Sequence, residues 1–307
     1  MSLSLQNLPG LIPTLLFEYV VLLLIFGCYR HYCCRCCLST CYGAEAIENS
    51  GSLCESFKFE DTYESFKPTV KYALVFTRFI SFAYILGVSV ISNYVITGNF
   101  KWFYFTLWNV ELLSFYYFLA LICSTIGLFN SPRRFASNVI ENIDDDAKST
   151  KSIVWSVHIV RLGKITHILF EVCSGTAVLV TVINFGILNR EFSFWNTTSH
   201  LAPLLSLLLE LSLNNMYLRV DHYIYNISWA LLYLIFVWPL VALENISFWP
   251  YPFLAVDTSY CYLFYTILVV LDILFYFVFY SISFLKDMLR HDISSTEEPE
   301  VSLQTNA

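Results

Sequence analysis

Thr106 and His200 are the residues of this sequence whose types and positions could support nucleophilic catalysis. A threonine hydroxyl is a weak nucleophile until a base such as an imidazole takes its proton. Thr106 lies near the start of an aromatic-rich apolar segment, and His200 lies near the start of another, ten residues before Glu210. If both segments run inward from one membrane face, the two side chains share a leaflet. The same pattern is expected if Thr106 bonds its own helix backbone and His200 is an interfacial residue.

Asn109 and Glu210 are the candidate supporting residues. Asn109 follows Thr106 by three residues, so a helix places both on nearly the same face. Its amide could donate a hydrogen bond to a developing oxyanion, or it could tie two helices together. The sequence contains no Gly-rich phosphate loop and no Ser nucleophile elbow, and it predicts neither a cofactor nor a metal site.

The elements that must position these residues are apolar segments about 20 residues long. Of the 307 residues, 57% are hydrophobic, 18% are aromatic and 13% are charged, whereas about a quarter of the residues in a soluble domain are charged. This composition excludes an ordinary globular enzyme, a nucleic-acid binder and a disordered protein. A helix of about 20 residues spans the hydrocarbon core of a bilayer. The predicted fold class is therefore all-α, a polytopic membrane helix bundle.

Windows of about 19 residues predict seven spans, a six-span core preceded by an N-terminal helix. The spans are Leu11–Tyr29, Tyr72–Val95, Phe103–Leu128, Ile165–Leu188, Leu201–Tyr217, His222–Leu243 and Tyr260–Leu285. Fourteen of the 17 Lys and Arg residues fall on one side of this topology, and only Lys101 and Arg190 fall on the other. Because basic residues stay preferentially on the cytoplasmic side, the N-terminus is predicted to be lumenal or outside and the C-terminus cytosolic. The host membrane is the plasma membrane or the endoplasmic reticulum.

Four regions follow from this topology. Residues 1–29 form the N-terminal segment and first transmembrane helix, and residues 30–70 form a cytosolic Cys-rich and polar loop. Residues 71–288 form the transmembrane bundle, and residues 289–307 form a cytosolic tail that is predicted to be disordered. The segment between the third and fourth spans, residues 129–164, is predicted to be a polar linker.

Two kinds of covalent modification are indicated. Five cysteines follow the first predicted span directly: Cys33, Cys34, Cys36, Cys37 and Cys41. The reducing cytosol disfavours disulfides, and juxtamembrane cysteines suit S-palmitoylation; the alternatives are no special role or a zinc site with His31 as an added ligand. The sequons at Asn196 and Asn245 fall on the predicted lumenal side, where N-glycosylation takes place.

Charged residues inside the membrane are costly, so each one needs a partner or a function. Arg78 and Glu171 lie at similar depths in their spans and could pair across helices. Four other carboxylates lie deeper and have no evident basic partner in the sequence, namely Glu18, Glu111, Glu210 and Asp272.

Three segments resemble a known group of membrane proteins. They are Trp102-Phe-Tyr-Phe-Thr-Leu-Trp-Asn109, the His200 and Glu210 pair, and Phe248-Trp-Pro-Tyr-Pro-Phe-Leu254. Together they resemble the rolling stone group and its uncharacterised plant and protist members, over roughly residues 70–288. More distantly, the chain is similar to the androgen-induced family of intramembrane hydrolases. The residues after His200 differ from that family's usual continuation, and a second histidine nearby is missing.

The resemblance implies an activity and a site. The androgen-induced family cleaves fatty acid esters of hydroxy fatty acids with a threonine nucleophile and a histidine base, which match Thr106 and His200 here. The expected partners are therefore membrane lipids and a lipid-ester substrate, with no nucleic acid and an unspecified protein partner. The alternative is a non-catalytic membrane protein of the rolling stone type, acting in adhesion, fusion or scaffolding. A transporter or receptor is the third hypothesis.

Overall fold

All the secondary structure is helical in the residues that a computed structural model describes, which are 70–95, 103–129, 146–188, 190–243, 249, 251–255 and 260–297. These ranges contain six α-helices: α1 (Val70–Val95), α2 (Phe105–Phe129), α3 (Asp146–Val182), α4 (Phe194–Leu213), α5 (Tyr223–Leu243) and α6 (Cys261–Glu297). A π-helical turn over Ile183–Ile187 continues α3. Short 3₁₀ turns occupy Val220–His222 and Pro252–Leu254.

Five stretches are long and apolar enough to cross a membrane. They are Val70–Ser92, Phe105–Phe129, Arg161–Ile187, Val220–Val237 and Cys261–Arg290. α4 has a shorter apolar stretch because its first two turns include Asn196, Ser199 and His200. These helices indicate an integral, multi-pass membrane protein, as the composition predicts.

The six helices agree in order and approximate position with the second to seventh predicted spans. The largest difference is at α3, which begins at Asp146, so that residues 146–164 are helical and not a linker. α6 continues to Glu297, nine residues past the predicted end of the bundle at 288. The first predicted span, Leu11–Tyr29, and the loop over residues 30–69 lie outside the described residues.

The helices expose apolar side chains and bury polar ones. Phe76, Phe115 and Leu205 are large hydrophobic residues with 67%, 50% and 54% of their surface exposed, whereas Arg78 and Glu210 are fully buried. In lipid no water is present to satisfy polar groups, which must therefore find partners inside the protein. The distribution is the one expected of helices that face a bilayer.

The chain divides into two compact units, and the larger comprises Lys58–Asn226 with Asp272–Ala307. In this unit α1 and α2, α2 and α3, and α3 and α4 pack as antiparallel pairs. Two contacts fix each direction. Between α1 and α2 they join Arg78 to Ala120 and Ser89 to Glu111, and between α2 and α3 they join Cys123 to Thr166 and Tyr116 to Phe170. Between α3, with its π-helical turn, and α4 they join Thr181 to His200 and Asn184 to Asn196. Since α2 and α4 are both antiparallel to α3, they run parallel to each other.

The hydrophobic core of this unit is formed mainly by aromatic and branched side chains. Its largest members include Ile85, Tyr116, Tyr117, Phe170, Leu207, Met216, Tyr276 and Phe279. Cys173 is buried in the same core, and Cys123 is buried with its sulfur 3.5 Å from the Thr166 hydroxyl. This agrees with the small packing role expected of cysteines in spans.

Side-chain caps define both ends of α4. The Ser193 hydroxyl accepts a hydrogen bond from the Asn196 N–H at 3.2 Å, which makes Ser193 the N-cap of the helix. At the other end, Arg290 Nη1 and Lys286 Nζ donate to the Asn214 carbonyl oxygen at 2.8 and 3.5 Å. Basic side chains from α6 thus satisfy a carbonyl that helix geometry leaves without an intrahelical partner.

The second unit comprises Met1–Phe57 with Ile227–Leu271. In its described part, the ring of Phe253 lies 5.8 Å from that of Tyr251 and 5.7 Å from that of Phe264, measured between centroids. The Tyr265 hydroxyl donates to the Leu254 carbonyl oxygen at 2.8 Å. The Tyr251-Pro-Phe-Leu254 segment is therefore held against the start of α6 by aromatic contacts and one hydrogen bond.

Candidate active site

A fully buried ion pair joins α1 to α4. Arg78 Nε donates to Glu210 Oε1 at 2.9 Å, and neither side chain is exposed. The Tyr116 hydroxyl of α2 and the Asn214 amide donate to the same oxygen at 3.1 and 3.2 Å. Arg78 Nη1 also donates to the Ala120 carbonyl oxygen at 3.2 Å. This network ties α1, α2 and α4 together at one level of the bundle.

The predicted pairing of these charges is wrong. Arg78 pairs with Glu210 and not with Glu171, and Glu210 thereby has a basic partner that its position in the sequence does not reveal. The depth of a residue along its helix predicts the layer of the bundle in which it lies, but it does not predict which neighbouring helix its side chain faces. Glu210 lies ten residues, or about 15 Å of helix, from His200. Its hydrogen bonds join it to this ion-pair network and not to the predicted catalytic pair.

Thr106 and His200 lie at the same level of two parallel helices. Tyr116 of α2 contacts Glu210 of α4, and these residues follow Thr106 and His200 by the same ten positions. A second register agrees with the first. Thr181 of α3 donates to the His200 carbonyl oxygen at 2.7 Å, and the antiparallel pairing of α2 with α3 brings Thr106 to about the level of Thr181.

Thr106 stands in the first turn of α2, where its side chain is partly exposed. Among the residues that the structure describes, its hydroxyl has no hydrogen-bond partner. Thr125 on the same helix behaves differently, because its hydroxyl donates to the Leu121 carbonyl oxygen at 2.8 Å. The backbone hydrogen bond that was the alternative for Thr106 is therefore not present in the described part of the chain.

The His200 imidazole is partly buried near the start of α4. Its Nδ1 atom is buried and has no hydrogen-bond partner in the described part of the chain. The ring meets that of Phe185 edge-on, with centroids 6.5 Å apart. No hydrogen bond joins His200 to Thr106 within the described residues. A buried polar atom without a partner is rare, and a catalytic role is one of its recognised explanations.

Asn109 donates one amide hydrogen bond within its own helix. The Nδ2 group lies 3.0 Å from the Phe105 carbonyl oxygen. This geometry is compatible with either role considered for Asn109, the oxyanion donor or the link between helices.

The predicted modification sites fall in different places. Asn196 lies in the first turn of α4, where its Nδ2 donates to the Glu191 carbonyl oxygen at 2.7 Å and its Oδ1 accepts from Asn184 Nδ2 at 3.0 Å. Both ends of this amide are thus engaged in hydrogen bonds. Asn245 and the five candidate acylation sites, Cys33, Cys34, Cys36, Cys37 and Cys41, lie outside the described residues.

A second buried polar cluster is absent from the sequence prediction. Glu171 of α3 is fully buried; its Oε2 atom bonds His222 Nδ1, and its Oε1 atom accepts from the Arg219 N–H at 2.7 Å. His167 Nε2 lies 2.6 Å from the Tyr217 carbonyl oxygen. The sequence does contain one signal for this cluster, since His167 and Glu171 are four residues apart and share a helix face.

Metal-binding arrangements and similarity to known proteins give no further indication of what the site does. In the described ranges, no group of three or more His, Cys, Asp or Glu side chains is arranged to hold a metal ion. Comparisons with family models, with curated proteins and with solved structures find no match. The resemblance to the rolling stone and androgen-induced families stays a prediction from short sequence motifs.

Proposed function

We propose that this protein is an intramembrane lipid-ester hydrolase in which Thr106 is the nucleophile and His200 the general base. The single observation that carries the proposal is the unpartnered Nδ1 atom of His200, buried at the level of a threonine whose hydroxyl has no partner in the described residues. The two residues stand on parallel helices of one unit. Catalytic hydrogen bonds are often formed only once substrate is bound, so the open pair is compatible with this role.

The reaction divides into two steps. In the first, the Thr106 oxygen attacks the ester carbonyl carbon while its proton passes to His200, and the imidazolium then protonates the leaving alcohol as the C–O bond breaks. In the second, water attacks the acyl carbon while His200 takes a proton from that water, and the imidazolium then returns the proton to the Thr106 oxygen as the bond between that oxygen and the acyl carbon breaks and the fatty acid leaves. The Asn109 amide is the nearest candidate along α2 for a hydrogen bond to the oxyanion.

The substrate class follows from the site and from the resemblance. An intramembrane position favours a lipid that arrives laterally from the bilayer of the plasma membrane or the endoplasmic reticulum. The resemblance to the androgen-induced family favours fatty acid esters of hydroxy fatty acids. Both products, a fatty acid and a hydroxy fatty acid, remain in the membrane.

The test is ester turnover by purified protein in detergent–lipid micelles. We expect Thr106→Ala and His200→Ala to lose activity by about two to four orders of magnitude. Two matched variants should keep it, namely Thr125→Ala on α2 and Ser199→Ala beside His200, whose hydroxyls bond their own helices. Turnover that survives both site variants, or a folded wild-type protein without turnover, would favour the non-catalytic adhesion, fusion or scaffolding function.

A further inference from the structure

Asp272 is a buried carboxylate whose oxygens accept no hydrogen bond from any residue that the structure describes. Only 1% of its surface is exposed, and both carboxylate oxygens are buried without a hydrogen bond in the described part of the chain. The neighbouring Asn226 side chain donates to the Asp272 backbone carbonyl oxygen at 3.5 Å, while its own Oδ1 atom is also buried and unpartnered there. The Asn226 Nδ2 group is a donor close to these buried acceptor oxygens, but in the described part of the chain it makes no hydrogen bond with the Asp272 carboxylate.

The packing around this region is specific. A Cβ atom at Gly175 of α3 would lie 2.7 Å from Asn226 Oδ1 and 2.9 Å from its Nδ2. Glycine is therefore what allows the Asn226 amide to lie against α3 beside Asp272. A side chain that packs this tightly against a backbone, next to a carboxylate without a partner, is difficult to explain as packing alone, since an apolar residue would fill the same space at less cost.

The region lies one helical turn from a second layer of polar side chains, of which His222 is partly exposed. Glu171 precedes Gly175 by four residues, His222 precedes Asn226 by four, and Tyr276 follows Asp272 by four. Four residues of helix rise about 6 Å. The structure therefore has two adjacent layers here: an inner layer of Gly175, Asn226 and Asp272, and an outer layer of Glu171, His222 and Tyr276. The Tyr276 hydroxyl donates to the Arg219 carbonyl oxygen at 2.6 Å and closes this outer layer.

His222 is the exposed member of the outer layer. Its Nδ1 atom bonds the buried Glu171 carboxylate, and 17% of its side chain is exposed. Within the described residues, no partner is found for its Nε2 atom. A carboxylate that fixes one ring nitrogen and leaves the other accessible is the arrangement that lets histidine accept and release protons.

We propose that Asp272 is a proton-binding site inside the membrane, and that it exchanges its proton with water through the Glu171–His222 pair at the end of the bundle. The ligand is a proton, because a proton neutralises the buried carboxylate without the six or more oxygen ligands that Mg²⁺ or Ca²⁺ takes. Glu171, His222 and Tyr276 are the titratable groups of the adjacent layer, and the uncharged Asn226 amide lies beside Asp272.

Infrared spectroscopy of the full-length protein in lipid tests the site. At neutral pH the wild type should show the C=O band of a protonated carboxyl group, which Asp272→Asn should remove. The matched control is Asp287→Asn, since Asp287 is on the same helix but is about half exposed. Asp272→Glu should keep the band at a shifted frequency. A wild type without the band, a band retained in Asp272→Asn, or a band that Na⁺ abolishes would overturn the proposal.

Hydrogen–deuterium exchange tests the route. After transfer to deuterated water, the Asp272 band should shift in the wild type. It should shift about tenfold or more slowly in His222→Gln, since a positioned base contributes at least that much to proton transfer. Tyr225→Phe, three residues away, is the control that should exchange at the wild-type rate. Equal rates in His222→Gln and the wild type would contradict the assigned route.

Discussion

The Arg78–Glu210 ion pair gives the most quantitative prediction for the stability of the bundle. Both side chains are fully buried, and Glu210 Oε1 accepts from Arg78 Nε, Tyr116 and Asn214 at 2.9, 3.1 and 3.2 Å. Arg78→Met leaves a carboxylate in the interior with two neutral donors only. Removing one member of a buried pair costs about 3–5 kcal/mol, and we expect the same loss for Glu210→Met.

The double variant Arg78→Met/Glu210→Met measures how much of each single loss depends on the presence of the other charge. It removes both charges and leaves only hydroxyl and amide groups without their partner, each worth about 1–3 kcal/mol. Its loss of unfolding free energy should therefore fall short of the sum of the single losses by about 2 kcal/mol or more. The assay is the unfolding free energy in lipid–detergent bicelles, with Lys164→Met at an exposed basic residue as the control. Single losses below about 1 kcal/mol, or strict additivity, would refute the reasoning.

Two further predictions concern single helix positions. Gly175→Ala should lower the unfolding free energy by about 1–3 kcal/mol, because its Cβ would overlap the buried Asn226 amide. Gly87→Ala is the control: no atom lies within 4 Å of the added Cβ, so the change should be neutral or stabilising by up to about 1 kcal/mol. Equal effects of the two changes in a thermal melt would contradict this prediction. Ser193→Ala should cost about 1 kcal/mol, because it removes the hydroxyl that caps α4 through the Asn196 N–H, and an unchanged melting temperature would show that this cap is dispensable.

The sequence predicts the helices well because apolar length carries the signal. α1, α2 and α5 begin and end within two residues of their predicted spans. The N-terminal part of α3, residues 146–164, contains many polar residues. The length of an apolar segment therefore does not predict this part of the helix, although its backbone is helical. The polar start of α4 misleads in a similar way, since its helix begins at Phe194 and not at residue 201.

The sequence predicts how deep the candidate site residues lie along their helices, but it does not predict which neighbouring helix each side chain faces. The sequence places Thr106 and His200 near the starts of two spans that are predicted to run inward from one face, and the Tyr116–Glu210 contact agrees with a common level for the two residues. The Arg78 partner and the Glu171–His222 pair require knowledge of which helix faces which. Such information arises only from tertiary packing, so a single sequence does not contain it in readable form.

The central claim is that Thr106 is a nucleophile activated by His200. The most direct measurement is the reaction of purified protein with a fluorophosphonate probe, followed by peptide mass spectrometry of the adduct. We expect an adduct on Thr106 in the wild type and in Thr125→Ala, and none in Thr106→Ala or His200→Ala at unchanged thermal stability. A folded wild type without an adduct, or an adduct on another residue that persists in both site variants, would contradict it.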